Sequence, residues 1–384
     1  MPFQPLFDFR SPTRLVHGPG AIHRLPKFFS KKQKILVVTD AGLVRAGVVE
    51  QVTRILEKAA VPHAVFDGVL ANPPARCVHA GQRLYKREEC TGIVGLGGGS
   101  AMDVAKMIGV LATNGGRIER YLGANKFAHD LPPLVCIPTT YGTGSEVTPF
   151  AVLTNPKTRN KDPLISWKIA PQVGILDAEL VVALPAAVGG PTGMDALTHA
   201  LESYISLTAT PLTEALALSA LELIGLHLRQ ACANDYELEA TENMLLASSM
   251  AGMAFSQTRL GNVHAMSHPV GAQFEVHHGT ANAILLPHVM EFNLPACFTK
   301  FANIATALGT GTNDLTPREA AAAAIDTIWE MNHDLGIPEN LGAVGVRSRA
   351  IPSMARLAME SPNVDVNPRK TSREDIAQIF KRAL

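Results

Sequence analysis

The sequence predicts an α/β N-terminal half, a doubly wound and mostly parallel dinucleotide-binding sheet, followed by an all-α C-terminal half. Three observations carry this. Up to about residue 185, short β-rich runs alternate with amphipathic helical ones, the pattern of parallel strands joined by crossover helices. Beyond Pro185 the strand signals stop and Ala- and Leu-rich helical patterns take over. The chain's 384 residues are enough for two cores of ordinary domain size. The expected division is 1–185, a nucleotide-binding α/β domain, and 186–384, a helical metal-binding and catalytic domain, with the active site in the cleft between them.

The strands are expected at Ile35–Thr39, His63–Phe66, Ile93–Leu96, Leu134–Ile137 and Val173–Leu176, all short runs rich in β-branched and other apolar residues. Helices are expected between them at about Gly47–Ala59, Ala75–Lys86 and Ser100–Ala112. The boundary falls in LPAAVGGPTG (Leu184–Gly193), whose glycines and prolines read as a break. After it, Thr210 and Pro211 form a cap and first-turn pair ahead of a helix over Leu212–Leu228. The alanine tract from Ala320 is a good helix former, and no internal repeat or low-complexity segment is evident.

At the end of the third strand, Gly97-Gly98-Gly99-Ser100 opens a helix. Glycines let the backbone turn tightly and let a pyrophosphate approach amides at a helix N-terminus. Ser100 and Asp103 have capping-box spacing, which marks the helix start. The loop lacks the Gly-Lys-Ser/Thr of a Walker A motif and does not complete GxGxxG, because Ser100 holds the last place. Asp40 closes the first strand, where a carboxylate can accept hydrogen bonds from adenosine ribose hydroxyls and repel a 2′-phosphate. In the usual Rossmann unit the glycines precede the acid, whereas here the order is reversed. A nucleotide-binding sheet of a different topology is therefore expected.

The helical half concentrates imidazoles. Asp195 and His199 stand four apart in TGMDALTHALESY, so one helical face carries both. His264 and His268 repeat the spacing in GNVHAMSHPVG, and His278 follows after a Gly-containing connection. Three imidazoles and one carboxylate from two helices and a loop can close around a divalent first-row transition metal and leave room for a substrate oxygen. Ca²⁺ or Mg²⁺ would call for mostly oxygen ligands. His277 is read as structural, since its neighbour fills the slot.

Composition narrows the partners. Lys+Arg and Asp+Glu balance at 34 each, with no basic run, which gives no support for nucleic acid or a membrane surface. The five cysteines contain no CxxC pair and read as reduced thiols. The N-terminal MPFQPLFDFRSPTRL lacks the basic and long apolar regions of a signal peptide, and no uninterrupted apolar run reaches spanning length. A soluble, cytoplasmic protein is expected. It is expected to act on a small molecule, without nucleic acid or membrane, as a homodimer or higher homo-oligomer.

Five longer motifs carry a resemblance: GLGGGSAMDVAK (Gly95–Lys106), PTTYGTGSEVTP (Pro138–Pro149), TGMDALTHALESY (Thr192–Tyr204), GNVHAMSHPVGA (Gly261–Ala272) and HGTANAILLPHVMEFN (His278–Asn293). Together they resemble the iron-containing, group III alcohol dehydrogenases, and the likeness runs down to NPRKTSREDI (Asn367–Ile376). The resemblance implies a fold related to dehydroquinate synthase. It places the metal ligands on Asp195, His199, His264 and His278, and puts His268 near nicotinamide and metal without ligating. Pro269 biases the residue before it out of ideal helix, so His268 need not point as His264 does. The implied cofactor contacts are Asp40, Asn72, Gly97, Gly98, Gly99, Ser100, Asp103, Thr139, Thr140, Thr143, Ser145 and Lys161, and Asp40 implies NAD over NADP.

The implied reaction is reversible hydride transfer between NAD(H) and a primary alcohol or aldehyde. The metal is expected to be Fe²⁺, though Zn²⁺, Mn²⁺ or Ni²⁺ suit the same ligands. His268 is the candidate for proton relay or orientation. Phe150 and Phe255 make an apolar pocket for a small or slender substrate. Where relatives often read AFNNAGLG, this chain has Ala254-Phe255-Ser256-Gln257-Thr258-Arg259-Leu260-Gly261. Arg259 thus raises an alternative, an aldehyde bearing a carboxylate, sulfonate or phosphonate, unless it serves a structural pairing. A metal- and NAD-dependent lyase would need a basic cluster that the metal-bearing motifs lack. A non-catalytic NAD-binding protein would be expected to have lost a ligand.

Overall fold

The computed structural model describes residues 7–154, 161–234 and 237–384. The first six residues of the stretch read against a signal peptide lie outside them. The strands are β1 (Arg14–His17), β2 (Ile35–Val38), β3 (His63–Phe66), β4 (Gly92–Gly97), β5 (Gly123–Ala124), β6 (Leu134–Pro138), β7 (Phe150–Thr154), β8 (Lys161–Ile165) and β9 (Val173–Leu176). Helices α1 (Ala41–Arg45), α2 (Val48–Lys58), α3 (Ala75–Arg87) and α4 (Gly99–Asn114) lie among them. The helical half comprises α5 (Ala186–Ile205), α6 (Pro211–Ala233), α7 (Leu238–Thr258), α8 (Asn262–Phe274), α9 (His278–Asn293), α10 (Phe298–Ala307), α11 (Pro317–Asp334), α12 (Ile351–Met359) and α13 (Arg373–Arg382).

The main sheet is parallel, in the order β1-β9-β6-β4-β2-β3. From β2 the chain turns outward to β3 and then returns to β4 on the other side, so the strand order reverses between β2 and β4. Ligands of open α/β sheets sit at such a point, outside the strands' carboxyl ends. The period-2 pattern explains burial on both faces: Ile35 and Val37, Val94 and Leu96, and Val135 and Ile137 point one way. Leu36 and Val38, Ile93, and Leu134 and Cys136 point the other. Each fully buried Val, Ile or Leu is worth roughly 1.5–3 kcal/mol. The first face meets α2 and continues into the core of α5, α7 and α9, so sheet and helical half share one apolar cluster. The second face packs on α3 and α4.

The structure departs from expectation at several elements. β1 completes the sheet edge, and β5, β8 and β7 form a small second sheet whose β7–β8 pair is antiparallel. Pro191 does not end α5: the helix begins at Ala186 and runs through it, and the Thr192 hydroxyl donates to the carbonyls of Val188 and Gly189. Pro269 likewise sits inside α8 without breaking it, so the predicted distortion at His268 is not needed to set its direction. The Ser100–Asp103 capping box does not form. Gly98 is the cap residue of α4 and no side chain caps that end. The Thr210 cap does form, reciprocally with Thr213, and Pro211 opens α6. Helix α6 is long and apolar enough by composition to cross a membrane, with mean hydropathy 1.3, a qualification of the sequence reading. It packs against α5 and α7.

Candidate active site

Three helices bring the imidazoles together. On α5, Asp195 and His199 project from successive turns, α8 supplies His264, and α9 opens with His278. His278 is thus a helix-start residue, not the loop residue expected. One oxygen, Asp195 Oδ1, lies 3.5 Å from His264 Nε2, 3.7 Å from His278 Nε2 and 3.8 Å from His199 Nε2. The ligand atoms of Asp195, His199 and His264 all fall within 4.8 Å of one another. The fit to a divalent cation rests on how the rings are held. His199 Nδ1 donates to the Gly142 carbonyl at 3.1 Å, and His264 Nδ1 donates to Glu202 at 2.7 Å. Both rings thereby aim Nε2 at the point of convergence, where it can act as a ligand once unprotonated.

The electrostatics also suit added positive charge. Burial alone would raise the Asp195 carboxyl, but His199, His278 and His264 hold it well below the ordinary carboxylate range. Burial opposes charge on His264 as well, yet Asp195 and Glu202 flank the ring and raise its pKa to about 9. Burial lowers His199 to about 4, and it is the main cause of His278 lying well below its usual value. His268 stands beside this set: its ring stacks on His278 at 5.4 Å and meets His264 edge-on at 6.4 Å. Burial, then the charges of Lys161 and His264, lower it to about 3. His277 stands exposed at the start of α9, without a side-chain capping bond, and lines a surface cavity of about 390 Å³.

An aromatic column closes one side. His264 stacks on His199 at 4.6 Å, His199 on Phe255 at 4.5 Å, and Phe255 on Phe150 at 6.0 Å. Both predicted pocket phenylalanines are therefore at the cluster. Arg259 is not gathered in with them. It ends α7 exposed, with φ 60°, away from the buried cluster, so the anionic-aldehyde reading is not favoured; nor does it make an ion pair among the described residues, so the structural pairing is not seen either.

Several of the predicted cofactor residues, Asp40 and Gly97–Ser100 among them, lie at the carboxyl ends of β2 and β4. Asp40 ends β2 and its Oδ1 caps α1, accepting from Gly42 N at 2.7 Å and Leu43 N at 3.1 Å. Its Oδ2 is turned towards Gly97, where a Cβ would lie 3.8 Å from it. Gly97 needs to be glycine: φ is 147° and a Cβ would meet that of Ala101 at 2.7 Å. Gly98 and Gly99 lie against Thr140 and Thr143, and the Thr140 hydroxyl is buried without a partner among the described residues. Ser100 lies in the first turn of α4, and Thr139 follows β6 beside Gly97, whose carbonyl accepts from its N–H. Such an orphaned hydroxyl beside a helix N-terminus fits a phosphate. Asn72, exposed and at φ 50°, precedes α3.

Asp103 is committed inward: it accepts from Ser145 Oγ at 2.8 Å and Val152 N at 3.0 Å. Lys106, fully buried, donates to Ser145 Oγ and Thr148 Oγ1, and to the carbonyls of Thr148 and Phe150. Burial depresses the Lys161 ammonium on β8, while Asp195 and then Asp103 oppose that. One segment therefore joins both centres: Thr140 touches the phosphate loop, Gly142 orients His199, and Ser145 is tied to Asp103 and Lys106. Sequence reasoning missed Glu202, Gly142 and Lys106. The spacing of Glu202, seven residues after Asp195 on one helix, is the signal that could have found the first.

A Gly-rich helix N-terminus tied by one loop to a buried Asp–His cluster suits a class of enzyme that uses a dinucleotide and a metal together. Comparison with known proteins narrows it. Residues 12–178 match the family described as iron-containing alcohol dehydrogenase, and residues 191–384 match the C-terminal part of the Fe-containing alcohol dehydrogenase family. The chain is 44% identical to the 1,3-propanediol dehydrogenase of Klebsiella pneumoniae, covering 98% of this chain and 99% of that one. It is 42% identical to the NAD-dependent methanol dehydrogenase of Bacillus methanolicus, over 98% and 100%. The crystal structure of a 1,3-propanediol oxidoreductase superposes with TM-score 0.96 at 43% identity, over 99% and 100%. The chain belongs to the iron-containing alcohol dehydrogenase family and is an oxidoreductase acting on CH–OH groups.

Proposed function

We propose that the enzyme interconverts a short primary alcohol and its aldehyde with NAD(H), and that Asp195, His199, His264 and His278 hold Fe²⁺, with Zn²⁺, Mn²⁺ or Ni²⁺ as possible substitutes. The observation that carries this is the convergence of three Nε2 atoms on Asp195 Oδ1. When bound, the cation supplies a Lewis acid that lowers the pKa of the alcohol hydroxyl. The nicotinamide supplies the hydride acceptor or donor. The chain's residues do the rest. The N-terminus of α4, with Gly97, Gly98, Gly99 and Ser100, receives the pyrophosphate, and Thr139, Thr140, Thr143 and Ser145 wall it. Asp40 takes the ribose hydroxyls and disfavours NADP, and Asn72 and Lys161 border the nucleotide. Asp103 acts as the brace of that wall rather than as a free ligand.

Phe150 and Phe255 exclude water and bulk from the reacting carbon, which favours substrates of the size named for the relatives. His268, neutral across the physiological range, orients or relays the hydroxyl proton. We assign 1–185 to cofactor binding and 186–384 to metal and substrate. The five free cysteines support a cytoplasmic setting. The exposed Leu212 and Leu226 of α6 support self-association as a homodimer or higher homo-oligomer.

The test is NADH oxidation under anaerobic conditions with one equivalent of Fe²⁺ against methanal, propanal, 3-hydroxypropanal and a sulfonated aldehyde. The neutral short aldehydes should turn over best. Turnover confined to the sulfonated aldehyde, or equal rates with NADPH, would overturn the substrate or cofactor assignment respectively.

A further inference from the structure

The segment from Thr139 to Pro149, which serves both centres, has no helix or strand of its own. Among the described residues, no backbone–backbone hydrogen bond holds it between Thr140 and Thr143. Gly142 and Gly144 make its backbone permissive, and Gly144 stands at φ 59°. Its shape there has to come from side-chain packing. Tyr141, only 1% exposed, is the largest fully buried side chain and belongs to the core that includes α5 and α6. Its ring enters a slot between the first turn of α5 and the last turn of α6, where the hydroxyl lies 3.7 Å from Cys232 Sγ. Gly189 makes the room: a Cβ there would overlap the phenolic oxygen and lie 3.4 Å from Cζ. Burial raises the pKa of both the phenol and the Cys232 thiol, so the contact joins neutral groups. The residues on either side face the two centres. Thr140 lies against Gly98, where a Cβ would be 3.5 Å from its Oγ1. Gly142 gives its carbonyl to His199 Nδ1 at 3.1 Å.

We propose that Tyr141 is the positioning residue of this loop, its buried ring fixing both the Thr140 wall of the phosphate site and the Gly142 carbonyl that aims His199. A ring packed at interior density has one place to be, and the peptide planes on either side of its Cα are carried with it. Those two planes place Thr140 and Gly142. Its own hydroxyl is engaged by Cys232, so Tyr141 acts only through its neighbours. The Gly142 carbonyl in turn selects the His199 tautomer and ring orientation, as an outer partner of a ligand does. This rests on the metal-site reading above and leaves its ligand set unchanged.

The experiment measures Zn²⁺ affinity by chelator competition. It also measures, by calorimetry on metal-free enzyme, the binding of ADP-ribose, which carries the pyrophosphate without the nicotinamide. The variants are Tyr141→Phe, Tyr141→Ala, Gly189→Ala, the Tyr141→Phe/Gly189→Ala pair, Asp195→Ala and, as a core control on α10, Ile304→Ala. Tyr141→Phe keeps the ring and should match wild type in both affinities. Tyr141→Ala should weaken Zn²⁺ binding about tenfold and ADP-ribose binding about three- to tenfold. Gly189→Ala should lower both by displacing the phenolic oxygen, and removing that oxygen in the paired variant should restore both. If Tyr141→Ala does not fold, this comparison decides alone. Ile304→Ala should lower the Tm and leave both affinities intact. A tyrosine that only fills the core predicts a lower Tm with neither affinity changed, and that result overturns the proposal. So does the loss of one affinity without the other, a Gly189→Ala loss that Tyr141→Phe does not relieve, or equal losses in Ile304→Ala. Wild-type Zn²⁺ affinity in Asp195→Ala would instead overturn the metal site itself.

Discussion

At His264 two carboxylates compete for one ring, with Glu202 2.7 Å from Nδ1 and Asp195 3.5 Å from Nε2. With its pKa raised to about 9, this ring carries a proton at neutral pH that an incoming cation must displace. Because the protonated form dominates below that value, apparent Zn²⁺ affinity should rise with pH, about tenfold per unit from pH ~7 to ~9. An affinity independent of pH over that range contradicts the assignment. Glu202→Gln keeps an acceptor for Nδ1–H but removes its charge. It should weaken Zn²⁺ binding by about 10–100-fold and shift the pH dependence downward, as chelator competition will show. Asp40→Gly should raise the Kd for NADH and relax discrimination against NADPH, measured as the ratio of kcat/KM values. It also removes the α1 side-chain cap, at a cost of only a few tenths of a kcal/mol, since glycine is itself a tolerated cap residue. The proposed ligands stood out at this scale because histidines and an aspartate recur at helical spacing in Asp195/His199 and His264/His268. Glu202 did not, since a glutamate on a helix usually reads as a solvated face.

The elements matter through how closely they pack. At Gly279 a Cβ would lie 2.1 Å from the Pro191 carbonyl oxygen and 2.7 Å from its carbon. That clearance lets α9 start against the backbone of α5, which sets His278 beside Asp195. Gly279→Val should push α9 away, lower the Tm and reduce Zn²⁺ affinity more than tenfold, read by unfolding and chelator competition. Retention of wild-type affinity would detach His278 from the packing of α5 and α9. The buried strands and the Thr210–Pro211 start were readable because apolar runs and cap chemistry are local signals. The β7–β8 pair was not, because Pro163 and two polar residues in Lys161–Ile165 disguise a strand paired only with its neighbours. Ser100 and Asp103 matched a capping box by spacing, but Ser145 and Val152 claim the carboxylate. Pro191 and Pro269 read as helix breakers, yet tertiary packing and the Thr192 hydroxyl carry the helices through.

For the whole molecule, the alternation of strands and helices announced the sheet, while the order β1-β9-β6-β4-β2-β3 depends on non-local pairings that no single segment encodes. The same holds for the link between the two centres. The segment after β6 reaches from Gly98 through Thr140 to His199 through Gly142, and only the fold shows that one loop serves both. Cofactor and cation should therefore bind separably but act jointly. The most direct measurement takes metal-stripped enzyme under anaerobic conditions and titrates Fe²⁺ while following NADH binding by fluorescence and aldehyde reduction by absorbance. NADH should bind before any iron is added, and turnover should rise from near zero in proportion to iron, levelling at one equivalent per chain. Full turnover in the stripped enzyme, or turnover indifferent to iron, would contradict the account.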